Sequence, residues 1–223
     1  MGLSFIIFFY CLAILKFSST NSVTIECNYY WYNLFNSVSY ECIVRNKEIF
    51  TDDRVNIEKA EGEHVEGKTD DDVTTFRIYN ADNLKFFPSN INNVFKNLKF
   101  LGIQLTNIAE ITSDDLKVFP KLEFLTLSDN EIKVIKDDTF KFNIRLRTIY
   151  LNGNKISHID PKSFSELKNL EKLFLEENIC EFEEAASKDK ILEIVRKIEE
   201  GFCLSDKFTK TMNSLMSNND KND

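Results

Sequence analysis

The stretch LKFLGIQLTNI (residues 98–108) decides the fold, because a related stretch returns along the chain every 24 residues. Three further copies follow without a gap, namely LEFLTLSDNEI, LRTIYLNGNKI and LEKLFLEENIC, which begin at Leu122, Leu146 and Leu170. The first, fourth and sixth residues of every copy are aliphatic. The ninth position holds Thr106 in the first copy and, in the later ones, Asn130, Asn154 and Asn178. A short unit that recurs at a fixed interval indicates stacked, repeated coils.

The interval and the residue pattern are those of a leucine-rich repeat. Residues 73–97 read as a degenerate first repeat, in which Phe76 and Ile78 take strand positions and Ala81 replaces the asparagine. The prediction is an α/β fold, a leucine-rich-repeat solenoid of about five coils over residues 73–179. Its parallel β-sheet forms the concave face, and a disulfide cap closes each end.

The asparagines have a structural explanation. Each coil must turn at the end of its strand, where the backbone cannot complete its own hydrogen bonds. A buried amide offers two donors and an acceptor at that point, so Asn130, Asn154 and Asn178 are predicted to form a ladder. Thr106 can replace only part of what the amide does, which marks its coil as the weakest.

The two ends of the chain differ in composition from the repeats. Residues 1–22 combine an apolar run with a small polar stretch, which is typical of a secretory signal peptide. The chain after cleavage is expected to be extracellular, without a membrane anchor. Residues 23–72 are assigned to an N-terminal cap and residues 180–203 to a C-terminal cap helix. Residues 204–223 are polar and are predicted to be disordered.

Cleavage would remove Cys11 and leave four cysteines, an even number that suits an oxidising compartment. Four cysteines permit three pairings, of which only the local one closes each end separately. We therefore predict the bridges Cys27–Cys42 and Cys180–Cys203. A zinc site is the alternative, but no C-x-x-C unit is present. No metal and no cofactor are predicted.

Composition and motifs exclude several classes of function. The chain has 36 acidic and 28 basic residues and no basic cluster, which argues against a nucleic-acid partner. It contains no phosphate-binding glycine loop, zinc-protease motif or nucleophile elbow. Its two histidines, His64 and His158, lie in loops, and the acid next to His158 is too close in sequence for a catalytic triad. We predict that the protein is not an enzyme.

The concave strand positions carry the candidate binding residues. The second position of successive coils alternates in charge, which stabilises the register of stacked strands and can also define a partner's charge pattern. Aromatic residues recur at the third and fifth positions, where polar residues would suffice on an unused face. The alternative to a binding role is that loops or the caps cover these rings. The candidates are Arg77, Lys99, Phe100, Glu123, Phe124, Arg147, Tyr150, Lys172 and Phe174.

The chain resembles the secreted leucine-rich-repeat proteins of insects, including the leucine-rich immune proteins of mosquitoes. The resemblance rests on the opening Cys27…Trp31…Cys42, on the stretch from Gly62 to Val73, on the 24-residue repeats and on the closing Cys180…Cys203. It implies a secreted recognition or scaffolding protein, with pathogen defence as one known use. The long coiled-coil extension through which the mosquito proteins pair is absent from this sequence.

Two functions follow as expectations. The first is a secreted binding module that recognises an extracellular protein through its concave face, in innate immune recognition or another setting. The alternative is a secreted structural or scaffold component without a single dedicated ligand. The sequence leaves the oligomeric state open.

Overall fold

The computed structural model describes residues 21–34 and 37–203. Eight strands form one sheet in the order β10-β8-β6-β5-β4-β2-β1-β3, and β7 pairs with β9 in a second, two-stranded sheet. The strands are β1 Asn21–Leu34, β2 Ser37–Val44, β3 Val55–Glu61, β4 Thr75–Ala81, β5 Phe100–Thr106, β6 Phe124–Thr126, β7 Val134–Ile135, β8 Thr148–Tyr150, β9 His158–Ile159 and β10 Lys172–Phe174. The helices are α1 Ile91–Val94, α2 Ser113–Leu116 and α3 Lys188–Glu199, with single 3-10 turns at Lys47–Ile49 and Asp70–Asp72.

Five parallel strands, one from each coil, form the repeated part of the large sheet. Leu101 pairs with Leu125, which pairs with Ile149, and Leu173 follows on β10. On the other side Phe76 of β4 pairs with Leu101. These two residues are 25 apart and not 24, because the degenerate repeat has one extra residue. The register, the number of coils and the parallel sheet predicted from the repeat are therefore confirmed.

The core lies directly behind this sheet. Residues at the first, fourth and sixth repeat positions are buried in all four regular coils, and Leu125 and Ile149 are fully inaccessible. Leu116, Phe140 and Phe164 fill the opposite side of the core, and the last two rings stack at 5.6 Å. Each coil leaves both its flat faces apolar, so the fold is stable only as a stack.

The ladder asparagines bond backbone groups of their own and neighbouring coils. The Asn154 amide donates to the Leu127 and Leu151 carbonyls at 2.8 and 3.0 Å and accepts from the Ile132 N–H at 3.0 Å. Asn130 and Asn178 make the equivalent bonds in their coils. Thr106 contributes its hydroxyl alone, which donates to Asn130 Oδ1 of the next coil.

The residue before each ladder position turns the chain. Its φ is positive in five successive coils, at Asn80, Leu105, Asp129, Gly153 and Glu177. Leu105, at φ 51°, has neither the freedom of glycine nor the short polar side chain with which Asn80 and Asp129 can bond locally in this conformation. Leu105 is also 37% exposed, so its backbone strain is offset by only partial burial.

The N-terminal cap extends the sheet. Strands β1 and β2 form an antiparallel hairpin bridged by Cys27–Cys42, and β2 then pairs in parallel with β4. Strand β3 covers the start of β1. Gly62 follows β3 at φ 150°, and a side chain there would come within 2.3 Å of the Cys27 carbonyl oxygen. Only glycine allows the following loop to lie against the hairpin.

An aromatic cluster holds this loop in place. The His64 ring stacks on Tyr29 at 3.8 Å, and the Tyr29 hydroxyl donates to Asp70 at 2.6 Å. Tyr40 Oη accepts from the Val65 N–H and lies 3.0 Å from His64 Nδ1. Burial, with the hydrogen bond to Asp70, raises the pKa of Tyr29 well above its ordinary value near 10. His64 thus joins a structural cluster of the cap.

The C-terminal cap closes the opposite edge. Ala185 forms an antiparallel bridge with Leu173, with backbone bonds of 2.9 and 3.2 Å, so the returning chain covers β10. Helix α3 begins after Ser187, which accepts from the Lys190 N–H, and buries Ile191, Ile194 and Ile198. The Cys180–Cys203 bridge joins the last repeat to the end of the helix. Unpaired strand edges invite aggregation, and this arrangement protects one.

The predicted signal peptide and tail fall largely outside the described residues. Of residues 1–22, only Asn21 and Ser22 are described, and both belong to β1, where they pair with Val55 and Asn56. Residues 204–223 lie outside as well. Among the described residues, no helix is long and apolar enough to cross a membrane.

Candidate binding face on the concave sheet

Four aromatic rings form a continuous row across the concave face. Phe100 stacks on Phe124 with centroids 5.0 Å apart, Phe124 lies 5.6 Å from Tyr150, and Tyr150 stacks on Phe174 at 4.2 Å with nearly parallel rings. Strands β5, β6, β8 and β10 each supply one ring. The aromatic row, Phe100-Phe124-Tyr150-Phe174, crosses the strands diagonally because it moves from the third repeat position to the fifth.

One member of the aromatic row differs from expectation. Phe124, Tyr150 and Phe174 are partly exposed, but Phe100 is only 7% exposed. Gly102, two residues along β5, has no side chain, and a Cβ there would lie 3.1 Å from the Phe100 ring. The expectation that Phe100 faces solvent is wrong, because its ring fills the space that Gly102 leaves.

The N-terminal end of the face contains a buried ion pair that sequence reasoning missed. Glu41 of β2 is fully buried, and both its oxygens accept hydrogen bonds from Arg77, the second of them at 2.8 Å. The guanidinium lies 4.8 Å from the Tyr32 ring centroid. Burial alone lowers the pKa of Arg77, but the hydrogen bond and charge of Glu41 outweigh it and raise that pKa. The charge of Arg77 is therefore already neutralised.

The second repeat position carries the alternating charges that the sequence predicts. Lys99 lies 3.4 Å from Glu123, and Arg147 binds Glu171 through both its Nε and terminal nitrogens at 2.8–3.1 Å. Both pairs join strands of neighbouring coils. Exposed pairs of this kind contribute about 0–1 kcal/mol each, so they align the coils more than they stabilise them.

The aromatic row separates two grooves. On one side a groove of 420 Å³ is lined mainly by the charge ladder and the third-position side chains, including Lys172. On the other side a groove of 510 Å³ is lined by the aromatic row together with Tyr32, Arg77, Asp129, Glu176 and Glu177. We refer to the first as the paired groove and to the second as the acidic groove.

The described residues do not group the side chains of a metal centre: no three His, Cys, Asp or Glu residues among them are placed to hold an ion. The three adjacent aspartates of Asp70–Asp72 are used within the cap instead. Asp72 accepts from Lys68 at 2.9 Å, and this hydrogen bond lowers the pKa of its carboxyl group.

Comparison with protein families agrees with the architecture. The family model for the leucine rich repeat matches residues 120–178, which include two complete regular coils and the strand of the third. The chain folds as a leucine-rich-repeat solenoid. No curated protein matches the sequence.

Solved leucine-rich-repeat structures are similar at low identity. A chain of the Toll–Spatzle complex of Drosophila is 19% identical, with 56% of this chain and 17% of that chain covered and a TM-score of 0.45. A chain of the TLR13–ssRNA13 complex is 24% identical, with coverages of 56% and 18% and a TM-score of 0.41. Internalin C2 of Listeria monocytogenes is 18% identical, with coverages of 57% and 60% and a TM-score of 0.37. This chain spans less than two thirds of each.

Proposed function

We propose that the protein is a secreted binding module that recognises an extracellular protein partner with the concave face of its solenoid. The observation that carries the proposal is the aromatic row. Its rings lie on the face of the sheet that points away from the core. The core-facing strand positions are already filled by Leu98, Leu101, Ile103 and their equivalents. Three of its four members keep part of their surface exposed. Exposed aromatic residues in a continuous patch are typical of interaction surfaces.

The stacked pair at the C-terminal end is the anchor we propose. Tyr150 and Phe174 present two parallel rings on short strands of the sheet. Binding to rings already held in place costs little conformational entropy. Aromatic anchors of this kind can carry about 2 kcal/mol or more of a binding free energy. The flanking ladder of Lys99, Glu123 and Arg147 would influence association rate and salt dependence more than affinity.

The setting is part of the same proposal. Two disulfides among the described residues fit an oxidising compartment, and the resemblance to insect secreted proteins makes innate immune recognition one use for such a module. A scaffold component without a dedicated ligand would share the disulfides and the fold. It would not depend on the rings of the concave face.

A comparative pull-down from extracellular fluid of the source organism tests the proposal. The bait is the disulfide-bonded chain, and the test variant is Tyr150→Ser with Phe174→Ser. The control variant is Phe142→Ser with Ile144→Ser, which removes exposed apolar side chains from an outer loop. We expect wild type and control to retain the same protein and the concave variant to lose it. Equal retention by all three baits would show that the concave face is not the site, and no specific retention by wild type would favour the scaffold.

A further inference from the structure

The acidic groove has an uncompensated negative charge. Among the described residues, its walls carry the carboxylates of Asp129, Glu176 and Glu177 and one cation, Arg77, whose charge Glu41 already neutralises. Within the described part of the chain, none of these three carboxylates forms an ion pair with a lysine or arginine. The groove therefore combines an aromatic floor with a negative edge.

A further carboxylate, that of the exposed Glu184, comes from the C-terminal cap. Burial raises the pKa of the Tyr150 hydroxyl, and the negative charges of Glu184 and Glu176 raise it further. Glu184 directly precedes Ala185, which forms an antiparallel bridge with Leu173, so the cap places this residue at the edge of the sheet beside Phe174.

The paired groove on the other side of the aromatic row is different. There the carboxylates of Glu123 and Glu171 are paired with Lys99 and Arg147. The two sides of one concave face thus differ in net charge, although the chain as a whole has a net charge of −8. A partner that crosses this face meets carboxylates on both sides of the aromatic rings, but those of the paired groove are bound to Lys99 and Arg147.

We propose that the acidic groove receives a basic segment of the protein partner, with an arginine or lysine side chain placed against the Tyr150–Phe174 pair and its charge met by Glu176 and Glu184. The inference rests on the proposed function and names the chemistry of its partner. A cation over an aromatic face is attracted by the ring, and a carboxylate accepts charge-assisted hydrogen bonds from the same group. An uncompensated negative edge also attracts basic segments before contact and repels acidic segments and nucleic-acid phosphates.

Selection from a displayed library of random peptides tests this inference on the intact, disulfide-bonded chain. We expect the wild type to enrich peptides in which arginine or lysine lies beside apolar residues. The variant Glu176→Gln, Glu177→Gln, Glu184→Gln should still enrich apolar residues but lose the preference for basic ones. The control Glu58→Gln, Glu63→Gln, Glu166→Gln removes the same number of charges from exposed positions elsewhere and should select as wild type does.

Measured dissociation constants sharpen the test. A selected basic peptide should bind the Glu176, Glu177, Glu184 variant about tenfold or more weakly than wild type, and its affinity for wild type should fall as salt rises. Enrichment of acidic or uncharged peptides, equal selection by both glutamine variants, or no enrichment at all would overturn the inference. If Tyr150→Ser with Phe174→Ser abolishes binding of such uncharged peptides, the concave face survives as the site and only the charge assignment fails. If that variant selects the same peptides as wild type, the proposed function fails as well.

Discussion

Replacing Asn154 with alanine should destabilise the solenoid by about 3 kcal/mol. The side chain is 6% exposed, and its amide bonds three buried backbone groups. The Leu127 carbonyl keeps a second donor from Asn130, and the Leu151 carbonyl keeps one from Asn178, so each loses only one of two bonds. Such a loss costs about 0.5–1 kcal/mol per carbonyl.

The Ile132 N–H has no second acceptor in the described part of the chain, so it becomes a buried, unpartnered donor. That adds about 1–3 kcal/mol, which brings the sum close to the expected value. Urea denaturation followed by circular dichroism measures the difference in free energy of unfolding. Asn107→Ala is the matched control, because this exposed asparagine bonds one carbonyl, that of Asp82, and should cost less than about 1 kcal/mol. Equal effects of the two substitutions would refute the account of the ladder.

Three further predictions concern stability. Thr106→Asn should raise the free energy of unfolding by about 1 kcal/mol in the same urea assay, because it restores an amide to the ladder; a loss of stability would show that the Thr106–Asn130 bond is the better arrangement. Leu105→Asn should also stabilise, by roughly 0.5–1 kcal/mol, because asparagine tolerates a positive φ, and a destabilised variant would mean that the leucine is unstrained. The raised pKa of Tyr29 means that its contribution is complete below about pH 10 and is lost as the pH rises further, at about 1.4 kcal/mol per pH unit. Tyr29→Phe should therefore flatten the fall in stability between roughly pH 10 and 11, and an unchanged slope would contradict the assignment.

The sequence was sufficient for the repeats because the signal is periodic. Leu125, Ile149 and Leu173 pair as the interval requires, and the two local cysteine pairings close the ends. The alternation of Lys99, Glu123, Arg147 and Glu171 also follows from the interval, since each coil repeats the position of the last. The features that follow from the 24-residue repeat are therefore the ones that the sequence predicts correctly.

The rest depends on contacts between unlike segments. Glu41 lies in a hairpin strand outside the repeat, so nothing in its spacing shows that it is buried beneath Arg77. Phe100 is covered because its ring fills the space beside Gly102. The alternation of apolar and polar residues in the sequence does not predict such a space. Glu184, at the edge of the sheet beside the groove, comes from the cap and not from a repeat.

The dissociation constant of the partner for the Tyr150→Ser, Phe174→Ser variant, measured beside its free energy of unfolding, tests the central claim most directly. The account predicts a dissociation constant at least about thirtyfold higher than that of wild type, equivalent to the loss of about 2 kcal/mol. The free energy of unfolding should change by no more than about 1.5 kcal/mol, the scale of one aromatic stacking contact. Unchanged affinity in a folded variant would contradict the claim that this pair anchors the partner. A collapse of stability would show instead that the rings belong to the core.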